Sequence, residues 1–233
     1  MGYSMKNIAL ILASGSGSRC GLNYPKQFIK VNNKTILEYT VDVFEKNKYI
    51  DEIIIVANKE YIEKIADITK KYLKVKNIVS GGDTRKDSSY NGVMSINYED
   101  ANVLIHDAAR PLISESIVNE CIFNLDKYNS VCVAIPSVDT LLQVDNNKDI
   151  ISVPERRFVY RAQTPQCFKL SLIKQAHTLA NSDTSCYVTD DCGLIIKYTN
   201  EKIHIVDGSE DNIKITYLED INFLESKLLK ISS

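Results

Sequence analysis

The sequence predicts a single α/β domain built on a doubly wound, mostly parallel sheet, with a β-hairpin arm protruding from it. Three observations carry that prediction. Apolar runs of strand length alternate with helical patterns as far as Ile135, the signature of βαβ units. The first run, Ile8 to Leu12, is apolar throughout, as a parallel strand buried on both faces should be. After Pro136 the rhythm changes to short alternating runs around a polar turn, which reads as a hairpin. At 233 residues and 44% hydrophobic content, the chain suits one sizeable domain spanning 1–233, with its arm at about 137–160.

The elements follow in order. After the strand at Ile8 to Leu12, helical periodicity near Thr35 to Lys46 leads to a strand at Ile53 to Ala57. A helix near Lys59 to Lys71, a strand at Asn77 to Ser80 and a helix near Arg85 to Ile96 come next. Val103 to Ile105 and Val131 to Ile135 read as strands flanking a helix near Glu115 to Tyr128. Right-handed crossovers should place these strands in one sheet, with ligand turns at their carboxyl ends. Thr140 to Val144 and Ile150 to Val153, joined by Asp145 to Asp149, form the arm. Such a hairpin has too little core of its own and is expected to pack on a second subunit. Helical patterns resume near Ser171 to Ala180 and Tyr217 to Lys230, with a strand at Lys202 to Val206 between them.

Composition excludes several classes. A net charge of -2 provides no global basic field, so neither nucleic acid nor an anionic membrane is an expected partner. The longest apolar runs have strand length, and no signal-type stretch follows Met1 to Lys6, which makes the expected location cytoplasmic. Six cysteines are scattered without a Cys-x-x-Cys pair and apart from the three histidines, against a zinc site. Cys192 has no evident partnering base and is not expected to be a nucleophile.

Chemistry concentrates in turns. Leu12-Ala13-Ser14-Gly15-Ser16-Gly17-Ser18-Arg19, followed by Pro25-Lys26-Gln27-Phe28, can turn several backbone N–H groups toward one anion with two cations beside it. The plain alternative is a tight strand-to-helix turn with solvated basic residues. Walker A spacing is absent, and a dinucleotide fingerprint would need glycine where Cys20 stands and an acid where the second strand ends in Asn58. Gly81-Gly82-Asp83-Thr84-Arg85-Lys86-Asp87-Ser88 opens a helix after a strand and offers hydroxyls to a base or ribose, although a Gly-Gly turn with Asp83 as N-cap would read the same. In Ile105-His106-Asp107-Ala108-Ala109-Arg110-Pro111, Asp107 suits Mg²⁺ and Arg110 a phosphate, or the two form a structural pair; His106 is read as a packing or hydrogen-bonding residue. Pro154-Glu155-Arg156-Arg157, near Gln163-Thr164-Pro165-Gln166, stands at the far end of the arm. In Asp211 to Thr216 an alternating run turns Lys214 away from Ile213 and Ile215. Cations gathered in turns of a nearly neutral chain point to a highly anionic substrate pair.

Together with Val138-Asp139-Thr140 and Thr189-Asp190, these motifs, in this order and spacing along nearly the whole chain, resemble the polyol-phosphate cytidylyltransferases. The resemblance implies a Rossmann-like nucleotidyltransferase that joins CMP from CTP to a polyol phosphate and releases pyrophosphate, as a homodimer with exchanged arms. It implies that Arg19 and Lys26 stabilise charge on the α-phosphate while Ala13 to Gly17, with Leu12, Ser14 and Gly15, wrap the triphosphate. Gly82, Asp83, Arg85 and Ser88 would frame cytosine and ribose, and Asp107 would bind Mg²⁺. Lys214 and Arg156 would position the polyol phosphate, helped by Arg110, Thr140 and Thr189, with Thr140 and Arg156 supplied by the neighbouring subunit.

Two branches of that family make CDP-ribitol and CDP-methylerythritol. Pro154 two residues before Arg156, Tyr160 four after it, Leu12-Ala13-Ser14-Gly15 and the absence of tryptophan resemble the ribitol branch. Ala109 resembles the methylerythritol branch, and Ser14 departs from both. A catalytically silent CTP-binding regulatory paralogue and a hydride-transferring enzyme are the readings from other classes.

Overall fold

The computed structural model describes residues 5–15 and 24–231. Seven strands form the central sheet in the order β11-β7-β10-β6-β1-β4-β5. They are β1 (Lys6–Ala13), β4 (Glu52–Ala57), β5 (Val75–Ser80), β6 (Ala101–Asp107), β7 (Ser130–Pro136), β10 (Tyr160–Lys169) and β11 (His204–Asp207). Only β10 runs against its neighbours β6 and β7; the other pairings are parallel. β2 (Lys30–Val31) and β3 (Lys34–Thr35) make a small separate ribbon, and β8 (Gln143–Val144) and β9 (Ile150–Ser152) make the arm.

Period-2 alternation divides β1 between two cores. Ala9, Ile11 and Ala13 face α1 (Ile36–Lys46), α2 (Ile62–Thr69) and α4 (Glu115–Asn124), while Ile8, Leu10 and Leu12 face α3 (Arg85–Met94), α5 (Leu170–Ser182) and α6 (Asp191–Tyr198). α7 (Glu219–Ile231) closes a third, smaller core with Ile215 against the β2–β3 ribbon. The helix starts are chemically specified. Thr35 caps α1 reciprocally with Glu38, and Thr84 caps α3 reciprocally with Asp87, each such box contributing about 1 kcal/mol. The N-cap is therefore Thr84 rather than Asp83, and Asp83 stands exposed on the turn before the helix.

Three expectations are corrected. The helix near Lys59 to Lys71 begins as a 3₁₀ turn at Lys59–Tyr61 before α2, and those extending to Ile96 and Tyr128 stop at Met94 and Asn124. Gln163 to Gln166 are not at the end of an arm but in the sheet, within β10, with Gln163, Thr164 and Gln166 all buried. Pro165 is accommodated because the β10–β7 register shifts between Ala162 and Gln166, a bulge where no ladder donor is required. The arm's paired segments are also shorter than expected, β8 and β9 alone.

Candidate active site

Chain order places β1 between β4 and β6, so the sheet reverses its winding direction at the β1–β6 junction, where an open α/β sheet carries its ligand crevice. A cavity of about 520 Å³ lies there, lined from four strand ends: Leu12 to Gly15 after β1, Asn58 after β4, Gly82 to Arg85 after β5 and Asp107 to Ala109 after β6. Short backbone bonds hold the ends together: Ala108 N–H donates to the Leu12 carbonyl at 3.0 Å, and Gly81 N–H to the Ala57 carbonyl at 2.7 Å.

The first turn is braced from below. Gln27, buried at 3% exposure, donates from Nε2 to the carbonyls of Ala13 (2.7 Å) and Gly15 (3.2 Å). Its neighbour Lys26 lines the cavity and donates to the Ile215 carbonyl at 2.5 Å. Ser14 Oγ lies 2.8 Å from Ser88 Oγ, which is 3.2 Å from the Gly82 N–H, so the first turn is tied to the second. A Cβ at Gly81 would sit 2.7 Å from Ser14 Cβ, and one at Gly82 2.4 Å from Asp87 Cβ; both glycines are required by this close approach.

Asp107 is the electrostatic centre. Lys214 Nζ is 2.7 Å from its Oδ2 and Arg85 Nε 3.5 Å from its Oδ1. Burial alone would raise its carboxyl, but the Arg85 and Lys214 cations outweigh that and hold it well below the usual carboxylate range. Lys214 lies in a loop whose alternation is kept, with Ile215 fully buried behind it. That loop is anchored by Asn212 Nδ2 donating to Gln163 Oε1 (3.1 Å) and the Thr164 carbonyl (2.9 Å), and by Ile215 N–H on the Ala109 carbonyl (2.8 Å). Arg110 joins the same anchor, donating from Nη1 to the Asn212 carbonyl at 2.6 Å, and it does not line the cavity. His106 meets Thr164 Oγ1 and the Arg110 carbonyl, and its burial lowers its pKa and keeps the imidazole neutral.

The structure thus brings together Leu12, Ala13, Ser14, Gly15, Lys26, Gly82, Asp83, Arg85, Ser88, Asp107 and Lys214 around one cavity. Gly17 and Arg19 lie outside the described residues. Thr189 does not line the cavity but a small separate recess, with Arg85, Asp190 and Asp191. Thr140 and Arg156 are exposed on the arm, where Arg156 Nη1 donates to the Val138 carbonyl at 3.2 Å. Thr84, whose hydroxyl the sequence offers to a base or ribose, lines the cavity, whereas Gln27, Asn58 and Thr216, also cavity-lining, were not singled out as site residues. Asn58, at a strand's carboxyl end, carried the same positional signal as Asp107. The Cys192 thiol is pushed far up by its hydrogen bond with Cys132 and by burial, in keeping with an inert side chain.

The family model for 2-C-methyl-D-erythritol 4-phosphate cytidylyltransferase (IspD) matches residues 7–230, almost the whole chain. The chain belongs to this family. It is a nucleotidyltransferase by class, and the hydride-transfer reading falls away. Among its relatives, the bifunctional ribulose 5-phosphate reductase/CDP-ribitol pyrophosphorylase Bcs1 of Haemophilus influenzae is 45% identical over 98% of this chain and 49% of its own length. The chain thus spans about half of that protein. The 2-C-methyl-D-erythritol 4-phosphate cytidylyltransferase of Thermobifida fusca is 37% identical over 94% of this chain and 92% of its own. The crystal structure of 4-diphosphocytidyl-2C-methyl-D-erythritol synthase from Anaerococcus prevotii superposes with a TM-score of 0.87 at 35% identity, covering 97% of this chain and 99% of that one. The doubly wound nucleotidyltransferase fold is the family's own. Among the described residues no helix is long and apolar enough to cross a membrane.

Proposed function

We propose that the protein transfers CMP from CTP to D-ribitol 5-phosphate, forming CDP-ribitol and pyrophosphate. The observation that carries the choice of acceptor is the 45% identity with the CDP-ribitol pyrophosphorylase relative along 98% of the chain, against 37% and 41% for two methylerythritol enzymes. Pro154, Tyr160 and the absence of tryptophan support the same branch. 2-C-methyl-D-erythritol 4-phosphate is the second reading, favoured by the family model and by Ala109.

In this reading the turn from Leu12 to Gly17 wraps the triphosphate, with Arg19 and Lys26 beside the α-phosphate, and Gly82, Asp83, Arg85 and Ser88 frame the nucleoside. An acceptor phosphate oxygen attacks the α-phosphorus in line; the new P–O bond forms as the bond to the β-phosphate bridge breaks, and pyrophosphate leaves. No general base is needed, because a phosphate monoester with second pKa of about 6 is already ionised at neutral pH. The chain's task is positioning and charge neutralisation. Lys214, held by Asp107, lines the same cavity and receives the acceptor phosphate.

The donor set suits a Mg²⁺ ion that arrives on the triphosphate. Asp107 offers one ionised carboxylate on the cavity wall, and Mg²⁺ typically takes one or two carboxylates plus substrate phosphates. Among the described residues no cluster of three or more acidic, histidine or cysteine ligands forms. Bound there, the ion would neutralise phosphate charge.

The arm completes the proposal. Val138, Leu142, Val144, Ile150, Ile151, Val153 and Phe158 are each about half exposed or more, a run of apolar surface that one chain leaves uncovered. A second copy of the chain covers it and receives Thr140 and Arg156 in its own site, giving a cytoplasmic homodimer with exchanged arms and no nucleic-acid or membrane partner. An assay of pyrophosphate release from CTP with ribitol 5-phosphate, methylerythritol 4-phosphate, ribulose 5-phosphate and glycerol 3-phosphate tests the acceptor. Ribitol 5-phosphate should give the highest kcat/KM; a preference for methylerythritol 4-phosphate would reassign the branch, and no release with any of them would favour a silent paralogue.

A further inference from the structure

Arg85 opens α3 at the cavity edge, and its guanidinium is held from two sides. Asp107, at the end of β6, faces Nε at 3.5 Å; Asp191, in the first turn of α6, accepts from Nη1 at 2.8 Å. Asp191 is wholly buried, and its other oxygen accepts from Ser89 Oγ at 2.5 Å. Ser89 Oγ lies 3.2 Å from His177 Nε2, and both side chains are inaccessible. The Asp191 N–H donates to Gln166 Oε1 at 3.0 Å.

This serine, histidine and aspartate meet in space although nothing in the sequence suggested it. They are not a nucleophilic set. All three are buried, the serine donates directly to the carboxylate rather than to the imidazole, and His177 Nδ1 has no partner among the described residues. Nor does α6 need Asp191 as a cap, since Asp190 already accepts from the Gly193 N–H at 2.9 Å. A fully buried carboxylate is costly to keep. Its one charged partner on the cavity wall is Arg85.

We propose that Asp191, backed by Ser89 and His177, is a positioning residue that fixes the Arg85 guanidinium for the nucleoside of CTP. Two aspartates divide two cations: Asp107 takes Lys214 at 2.7 Å, and Asp191 takes Arg85 at 2.8 Å. Without Asp191, Arg85 turns to Asp107 and competes with Lys214 for it. The planar guanidinium then loses the orientation that leaves its remaining donors for a ligand.

The inference rests on the cavity being a CTP site, and calorimetric titration with CTP alone separates the two claims. Asp191→Asn should bind CTP about tenfold more weakly than wild type, equivalent to about 1.4 kcal/mol. Arg85→Ala should bind at least as weakly, and Asp191→Asn added to it should change affinity less than about twofold. Ser89→Ala, which keeps every charge, should cost about threefold, again only where Arg85 is present, and it carries the test if Asp191→Asn folds poorly. A purely structural role would weaken binding equally in both backgrounds, and that result, or wild-type affinity in a folded Asp191→Asn or Ser89→Ala protein, overturns the proposal. A wild-type protein that does not bind CTP would instead overturn the assignment of the cavity.

Discussion

Lowering the pH from about 7 to about 4 should remove about 3 kcal/mol of folding stability through one side chain, His106. The imidazole is wholly buried at the carboxyl end of β6, with its ring 5.2 Å from that of Phe44. Its Nδ1 lies 2.9 Å from Thr164 Oγ1 and its Nε2 3.2 Å from the Arg110 carbonyl, so the neutral ring donates to the carbonyl and accepts from the hydroxyl. Burial pushes its pKa down to about 4 from an ordinary 6.5. The folded value is the lower one, so this stability is complete above 6.5 and is lost as pH falls through 4, because the unfolded chain takes up the proton first. The gap, at about 1.4 kcal/mol per pH unit, amounts to about 3 kcal/mol. Asp107 and Asp191, held below the carboxylate range by Arg85 and its neighbours, lose their share only at lower pH. Urea unfolding of wild type and His106→Gln across this range measures the effect. The variant should start less stable and fall less steeply by about that amount; parallel curves would show that the ring does not resist protonation.

Three further outcomes bear on the site. Lys26→Ala should lower turnover by about 10²–10³ with little loss of thermal stability, since it removes charge stabilisation from a turn; near-wild-type turnover would exclude it from the chemistry. Asp107→Asn should raise the Mg²⁺ concentration needed for half-maximal activity in a folded protein, and an unchanged value would make the aspartate a holder of Lys214 and Arg85 alone. Mixing inactive Lys26→Ala and Arg156→Ala proteins under subunit exchange should restore activity, because each heterodimer then carries one site with both residues intact. No recovery in confirmed heterodimers would place Arg156 in its own subunit's site or outside the chemistry.

β1 and β4 were legible because they are buried on both faces, and Ile8 to Leu12 or Ile53 to Ala57 can hardly be read otherwise. β10 was not, because its functional residues disguise it. Gln163, Thr164 and Gln166 are polar so that they can anchor Asn212, His106 and Asp190, and Pro165 reads as a turn until the bulge that accommodates it is seen. α6 is eight residues long with Gly193 in its first turn, too short for its periodicity to stand out. Within the site, glycines and cations at strand ends were visible from spacing. Pairing was not: that Asp107 serves Lys214, that Arg110 braces the loop carrying Lys214, and that Asp191 lies behind Arg85 depend on contacts about a hundred residues apart in sequence.

An acceptor phosphate whose oxygen attacks the α-phosphorus of CTP carries all of its own oxygens into CDP-ribitol. Ribitol 5-phosphate labelled with ¹⁸O in its phosphate group, incubated with CTP, Mg²⁺ and the protein, tests it by mass spectrometry of both products. All of the label should remain in CDP-ribitol, including the new bridging oxygen, and none should enter pyrophosphate. Labelled pyrophosphate, or no CDP-ribitol while a control cytidylyltransferase forms it, would rule out this attack.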